Sequence, residues 1–160
     1  MSKVIKMFLP IIISIFLPLT ASAKENDTII SEEAQEECIK YGEEYNICPE
    51  FLMAIIERES SGDPNATGGA CKGLMQISDK WHKDRMKKLG VTDIYDTRGN
   101  IHVGADYIAE LFEKYGEAAT VLAVYHGESG GVAKTEQGYI SGYSNWILER
   151  SAELEEVHGK

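Results

Sequence analysis

Glu59 stands where the chain could do acid–base chemistry. In the stretch 49–60, Leu52, Ile55 and Ile56 recur at i, i+3 and i+4, the spacing of an inward helical stripe. The next position on that stripe, i+7, is Glu59, while Glu57 and Arg58 are predicted to point elsewhere. A carboxyl therefore occupies a place that a leucine would normally fill, at the end of a helix and beside a Gly-rich loop. Apolar surroundings disfavour the charged form of a carboxyl, so it keeps its proton to higher pH. A general acid working near neutral pH needs that property. Protonation of the leaving oxygen of a glycosidic bond is one reaction that begins this way. The stripe alone leaves open a blander arrangement, with Glu59 paired to a basic side chain or set at a frayed helix end.

The elements that must position Glu59 are helical. Ser31 reads as the N-cap of a helix running to about Tyr45. Pro49 suits the first residue of the next helix, which ends near Ser61 and Gly62. Asp63 to Cys71 reads as a loop, Ser78 to Leu89 as a helix, and Asp93 to Gly99 as a second loop. Ile101 to Tyr115 and Glu117 to Tyr125 have helical spacing, the second ended by the glycine cluster at 127–131, and Asn145 to Val157 closes the chain. No stretch alternates long enough for a real sheet. The expected class is all-α, with room for a small hairpin at most.

Residues 1–23 carry another kind of signal. Lys3 and Lys6 precede an almost wholly apolar run from Met7 to Leu19, followed by Ala21-Ser22-Ala23, the pattern of a secretory signal peptide cut before Lys24. The run is short for a membrane span and is broken by Pro10 and Pro18, so no stable span is expected after cleavage. Residues 24–30 then form a short linker and 31–160 one domain. The 160-residue chain holds 16 Lys and Arg against 26 Asp and Glu, a net charge of −10. So acidic a chain is a poor non-specific nucleic-acid binder. Its three cysteines, Cys38, Cys48 and Cys71, predict one disulfide and one leftover thiol in an oxidising compartment, with all three pairings open.

Five segments, in order, resemble the soluble lytic transglycosylase family. They are Ala54-Ile55-Ile56-Glu57-Arg58-Glu59-Ser60-Ser61-Gly62-Asp63-Pro64-Asn65-Ala66, Gly73-Leu74-Met75-Gln76-Ile77, Asn100-Ile101-His102-Val103-Gly104-Ala105-Asp106-Tyr107, Leu122-Ala123-Val124-Tyr125-His126-Gly127, and Tyr143 with Ile147. The resemblance implies a lysozyme-like, mainly helical fold. It implies cleavage of the β-1,4 bond between N-acetylmuramic acid and N-acetylglucosamine in peptidoglycan. One glutamic acid, here Glu59, would serve as acid and then as base, closing a 1,6-anhydro ring with no cofactor and no metal. Ser60 would orient that carboxyl or bind substrate, and Gln76 would hydrogen-bond substrate or the site backbone. Tyr125 and Tyr143 would line the cleft. His126 stands where the family usually has Asn. It can still donate and accept, and it titrates near neutrality, so it could alter the pH dependence.

Other signals carry less. Asp63, Asn65 and Gly68 match an EF-hand loop, but its twelfth position would be Leu74, and the glycine loop lacks the Gly-Lys-Ser/Thr of a P-loop. His82, His102 and His158 show no ligand spacing and read as surface or packing residues. Lys80, His82, Lys83, Arg85, Lys87 and Lys88 form a basic cluster, either a solvated face or a contact for anionic wall polymers. Trp81 and Trp146 could stack on sugars, although a Trp in a small domain is more often core. Two alternatives stand beside the transglycosylase reading. One is a hydrolytic muramidase, which would need a second carboxylate, with Asp63, Asp79 and Glu128 as candidates, or a held water. The other is a wall-binding module without turnover. The expected location is the cell envelope or beyond, with peptidoglycan strands as partner and secretion or conjugation machinery as a further one.

Overall fold

The computed structural model describes residues 28–160; the expected signal peptide and the first part of the linker lie outside the described residues. Helices α1 (Glu32–Tyr45) and α2 (Pro49–Ser60) come first. A hairpin, β1 (Thr67–Gly68) with β2 (Cys71–Lys72), follows, then α3 (Lys83–Leu89), α4 (Thr97–Tyr115), α5 (Ala118–Tyr125), α6 (Gly131–Glu136) and α7 (Gly142–Val157). The hairpin is antiparallel, pairing Thr67 with Lys72 and Gly68 with Cys71. The fold is the all-α class expected, and the hairpin is its sheet.

Several boundaries follow from the sequence. The Ser31 hydroxyl accepts from the Ala34 N–H at the start of α1, and Pro49 opens α2. Others differ from expectation. Residues 78–82 are not helical, so α3 begins only at Lys83. The last three residues of the stretch read as a loop, 97–99, already belong to α4, because the Asp96 carboxylate caps the Gly99 N–H at 2.7 Å. Ser141 and Glu117 cap α7 and α5, which moves the start of α7 forward to Gly142. Helix α6 was hidden by the surrounding glycines.

Helix α2 is the centre of the molecule, packed against both α1 and α7. Every residue from Glu50 to Glu57 is buried. Helix α4 covers α1, and α5 bridges α4 to α7. Asn100 on α4 is fully buried and replaces a hydrophobic side chain with three hydrogen bonds. It accepts from Met75 N–H at 2.7 Å and donates to the Lys72 and Ile94 carbonyls at 2.9 and 2.7 Å. This pins the segment after the hairpin onto α4. Gly104 lets that contact close, since a β-carbon there would collide with the Met75 sulfur. Thr28 and Ile30, at the described end of the linker, are buried against the body of the domain.

The cysteine expectation is corrected: all three thiols are free. Cys38 is buried in the core on α1. The Cys48 thiol donates to the Glu50 carboxylate at 3.0 Å. Cys71 lines a surface cleft. Each sulfur sits in its own environment and none meets another. The tryptophans are not core either: Trp81 is 80% exposed and Trp146 37%. Among the described residues no helix is long and apolar enough to cross a membrane.

Candidate active site

A cleft of about 830 Å³ opens where the last turn of α2 meets the hairpin, α3, α4 and the end of α5. Glu59 lies at one end, with Cys71, Gln76, Tyr125 and His126. Trp81, His82, Arg85, Tyr107 and Glu110 line the rest. An aromatic wall runs along it: His82 packs on Tyr107 at 4.6 Å between ring centres, and Tyr107 on Tyr125 at 5.7 Å. Arg85 lies over the Tyr107 ring at 5.2 Å and is fixed by ion pairs to Asp106 and Glu110. The basic cluster is therefore divided: Arg85 belongs to the wall, while Lys80, Lys83, Lys87 and Lys88 are exposed, Lys88 reaching Asp106 at 3.5 Å.

Glu59 is half-buried on the stripe position the sequence assigned to it. Burial raises its carboxyl above the ordinary range. The Tyr143 hydroxyl, which donates to Oε1, and the nearby charges of His126 and Arg58 oppose that rise without cancelling it. With Oε1 taken by Tyr143, Oε2 is left to carry an acid proton. Tyr143 itself remains a phenol, because burial and the adjacent Glu59 charge push its own ionisation far up.

The other expected site residues divide into two groups. Tyr125, His126 and Gln76 line the cleft with Glu59, and Tyr143 reaches it from α7. Tyr125 is held by donating to the Met75 carbonyl at 2.6 Å. Gln76 adopts a left-handed backbone conformation, φ 48°, and its amide donates to the Ala66 and Gly73 carbonyls, which braces the hairpin loop. His126 stacks on Tyr143, with ring centres 3.9 Å apart and planes 14° from parallel. Ser60 differs: its hydroxyl bonds back to the Ile56 carbonyl at 3.1 Å on its own helix.

The three carboxylates considered as a second catalytic group are engaged elsewhere. Asp63 accepts from Asn65 N–H at 2.8 Å, Asp79 pairs with Lys72 at 2.7 Å, and Glu128 accepts from Ser141. None of them lines the cleft. Among the described residues no group of three or more His, Cys, Asp or Glu is placed to hold a metal ion. Two supporting residues were not assigned from sequence. Asn100 had a detectable signal as a polar residue among apolar helix positions. Arg58, over the Trp146 and Tyr143 rings at 5.6 and 5.9 Å, had none, since its aromatic partners lie far along the chain.

The sequence model of the transglycosylase SLT domain matches residues 36–143, from α1 through Tyr143. The chain belongs to the SLT transglycosylase family. A transglycosylase of Enterobacteria phage PRD1 is 39% identical over 85 residues, which are 52% of this chain and 31% of that protein. Invasion protein IagB of Salmonella typhi is 28% identical over 121 residues, 71% of this chain and 73% of that protein. The solved lytic transglycosylase Slt of Pseudomonas aeruginosa, an inactive mutant, superposes with a TM-score of 0.63 at 16% identity. That match covers 76% of this chain and 24% of the Slt chain, and it shows a shared lysozyme-like fold. This SLT domain thus spans under a third of the phage protein and about three quarters of IagB.

Proposed function

We propose that the protein is an extracytoplasmic peptidoglycan lytic transglycosylase that cleaves the MurNAc-β-1,4-GlcNAc bond with Glu59 as its single acid and base. The observation that carries this reading is the setting of Glu59. It lies at one end of the cleft with a raised carboxyl and a phenol on one oxygen; Asp63, Asp79 and Glu128 lie outside the cleft, and Glu110, in its far part, is paired with Arg85. In the first step Oε2–H gives its proton to the glycosidic oxygen and the bond from the muramoyl C1 to that oxygen breaks. The resulting carboxylate takes the proton of the muramoyl 6-hydroxyl, and O6 bonds to C1. The 1,6-anhydro ring closes, Glu59 is protonated again, and no water is consumed. One carboxyl suffices where hydrolytic glycosidases usually need two. The aromatic wall from Tyr125 to Trp81 offers flat faces to sugar rings.

The apolar leader expected at 1–23 supports export, and opening the wall for a secretion or conjugation machine is the role proposed with it. The test is a mass spectrum of the muropeptides released from purified peptidoglycan by residues 24–160, with Glu59→Gln as control. Products one water lighter than muramidase products, absent with the variant, are expected. Products of hydrolytic mass would replace this reading with a muramidase, and wall binding without release would replace it with a non-catalytic module.

A further inference from the structure

We propose that His126 is a positioning residue for the acid: its imidazole, flat on the Tyr143 ring, keeps that phenol aimed at Glu59 and brings a group able to carry positive charge into the same chain of contacts. The inference rests on the reading of Glu59 as the acid. Three helices meet in one chain of contacts. His126 caps the end of α5, Tyr143 lies in the first turn of α7, and Glu59 in the last turn of α2. The 3.9 Å, near-parallel stack fixes the plane of the Tyr143 ring, and the hydroxyl at its edge donates to Glu59 Oε1. Among the described residues no hydrogen bond holds the imidazole itself, so the stack is its structural contact.

The charges around this chain leave Glu59 as the natural counter-ion. Arg58 flanks it from α2, Tyr125 from α5, Tyr143 from α7, and the Cys71 thiol from β2. Glu128, two residues beyond His126, is occupied by Ser141. A protonated His126 therefore acts on Glu59 and favours its ionised form. An asparagine at that place could hydrogen-bond, but it could neither stack as a ring nor carry charge. Both properties come from His126.

Two variants of the full protein separate them. His126→Phe keeps a ring and loses the charge; His126→Ala loses both. With peptidoglycan as substrate, His126→Phe should keep kcat at acidic pH within about twofold, while the basic limb of kcat/KM, which reports loss of the acid proton, moves to higher pH. His126→Ala should lower kcat by roughly tenfold with little change in KM. A rise in KM with unchanged kcat in both variants would make His126 a substrate contact and overturn the proposal. Carboxyl NMR of Glu59 needs no turnover: its titration midpoint should rise in His126→Phe relative to wild type, and equal midpoints overturn the coupling. If the wild type released nothing while the midpoint still moved, the transglycosylase reading would fail and the coupling would stand.

Discussion

Glu57 and Glu59 sit on the same turn of α2, separated by Arg58. Glu57 is the more buried, with 5% of its side chain exposed. Burial pushes its carboxyl up, but the Arg150 guanidinium at 2.7 Å, the Thr28 hydroxyl at 2.6 Å and the Ile29 N–H outweigh burial and hold it below the ordinary range. Glu59 ends above that range, because there burial outweighs the neutral phenol and the more distant charges it meets, where Glu57 meets a guanidinium. Glu50, at the other end of α2, follows the Glu57 pattern: Lys160, the Cys48 thiol and His158 bring it down to about 2 against the pull of burial. Burial alone therefore does not raise a carboxyl. Among the described residues an ion pair holds Glu57 and Glu50 and none holds Glu59, and that difference decides the direction.

The comparison breaks most sharply in activity. Glu59→Gln should lose about three orders of magnitude in turnover or more, in line with removal of a general acid. Glu57→Gln, measured per folded molecule, should stay within a fewfold of wild type. A Glu57 variant as dead as the Glu59 one would mean that the buried ion pair, and not the cleft carboxyl, carries the chemistry. Next in size is Tyr143→Phe, which removes the donor on Oε1. Turnover should fall roughly tenfold. The basic limb of its pH profile should shift upward, because the lost hydrogen bond favoured the ionised form. A fall in turnover with an unmoved limb would make Tyr143 a contact of the substrate alone.

Helix α2 also shows how far the sequence could be read. The stripe of Leu52, Ile55 and Ile56 was right about Glu59 and incomplete about Glu57, which was expected to point elsewhere. A stripe assumes one buried face, whereas α2 packs against α1 on one side and α7 on another, so nearly its whole circumference is covered. The partner that makes Glu57 structural, Arg150, lies 93 residues away, and no local spacing can report such a pair. Local chemistry was more legible. Ser31 and Pro49 marked helix starts through capping and backbone rules that act within a few residues. The same rules misled at Gly99, a glycine inside a helix, where a β-carbon would strike Val91. The cysteine count failed because pairing needs two sulfurs in one place, a long-range property, and these three are apart.

The smallest effect tests the comparison most directly, since the two glutamates should respond to pH in opposite senses. Glu57 is depressed in the fold, so the stability it contributes is present above the ordinary carboxyl value and is lost as pH falls through its lower folded value. Glu57→Gln should then lower Tm at neutral pH by roughly 5–10 °C, the scale expected when a buried ion pair loses one partner. The deficit should shrink in acid. Glu59 is raised, so ionising it costs stability, and that cost grows as pH rises from the ordinary carboxyl value through the folded one. Glu59→Gln should melt above wild type at neutral pH, by about 2–4 °C, with the gain fading toward acid pH. Thermal melts of both variants between about pH 3 and about pH 8 would show the two difference curves converging on a common value in acid and diverging with opposite sign at neutrality. Parallel curves would mean that Glu57 and Glu59 share one electrostatic environment, and a Glu59→Gln melt below wild type at neutral pH would mean that the folded protein pairs this carboxylate as it pairs Glu57.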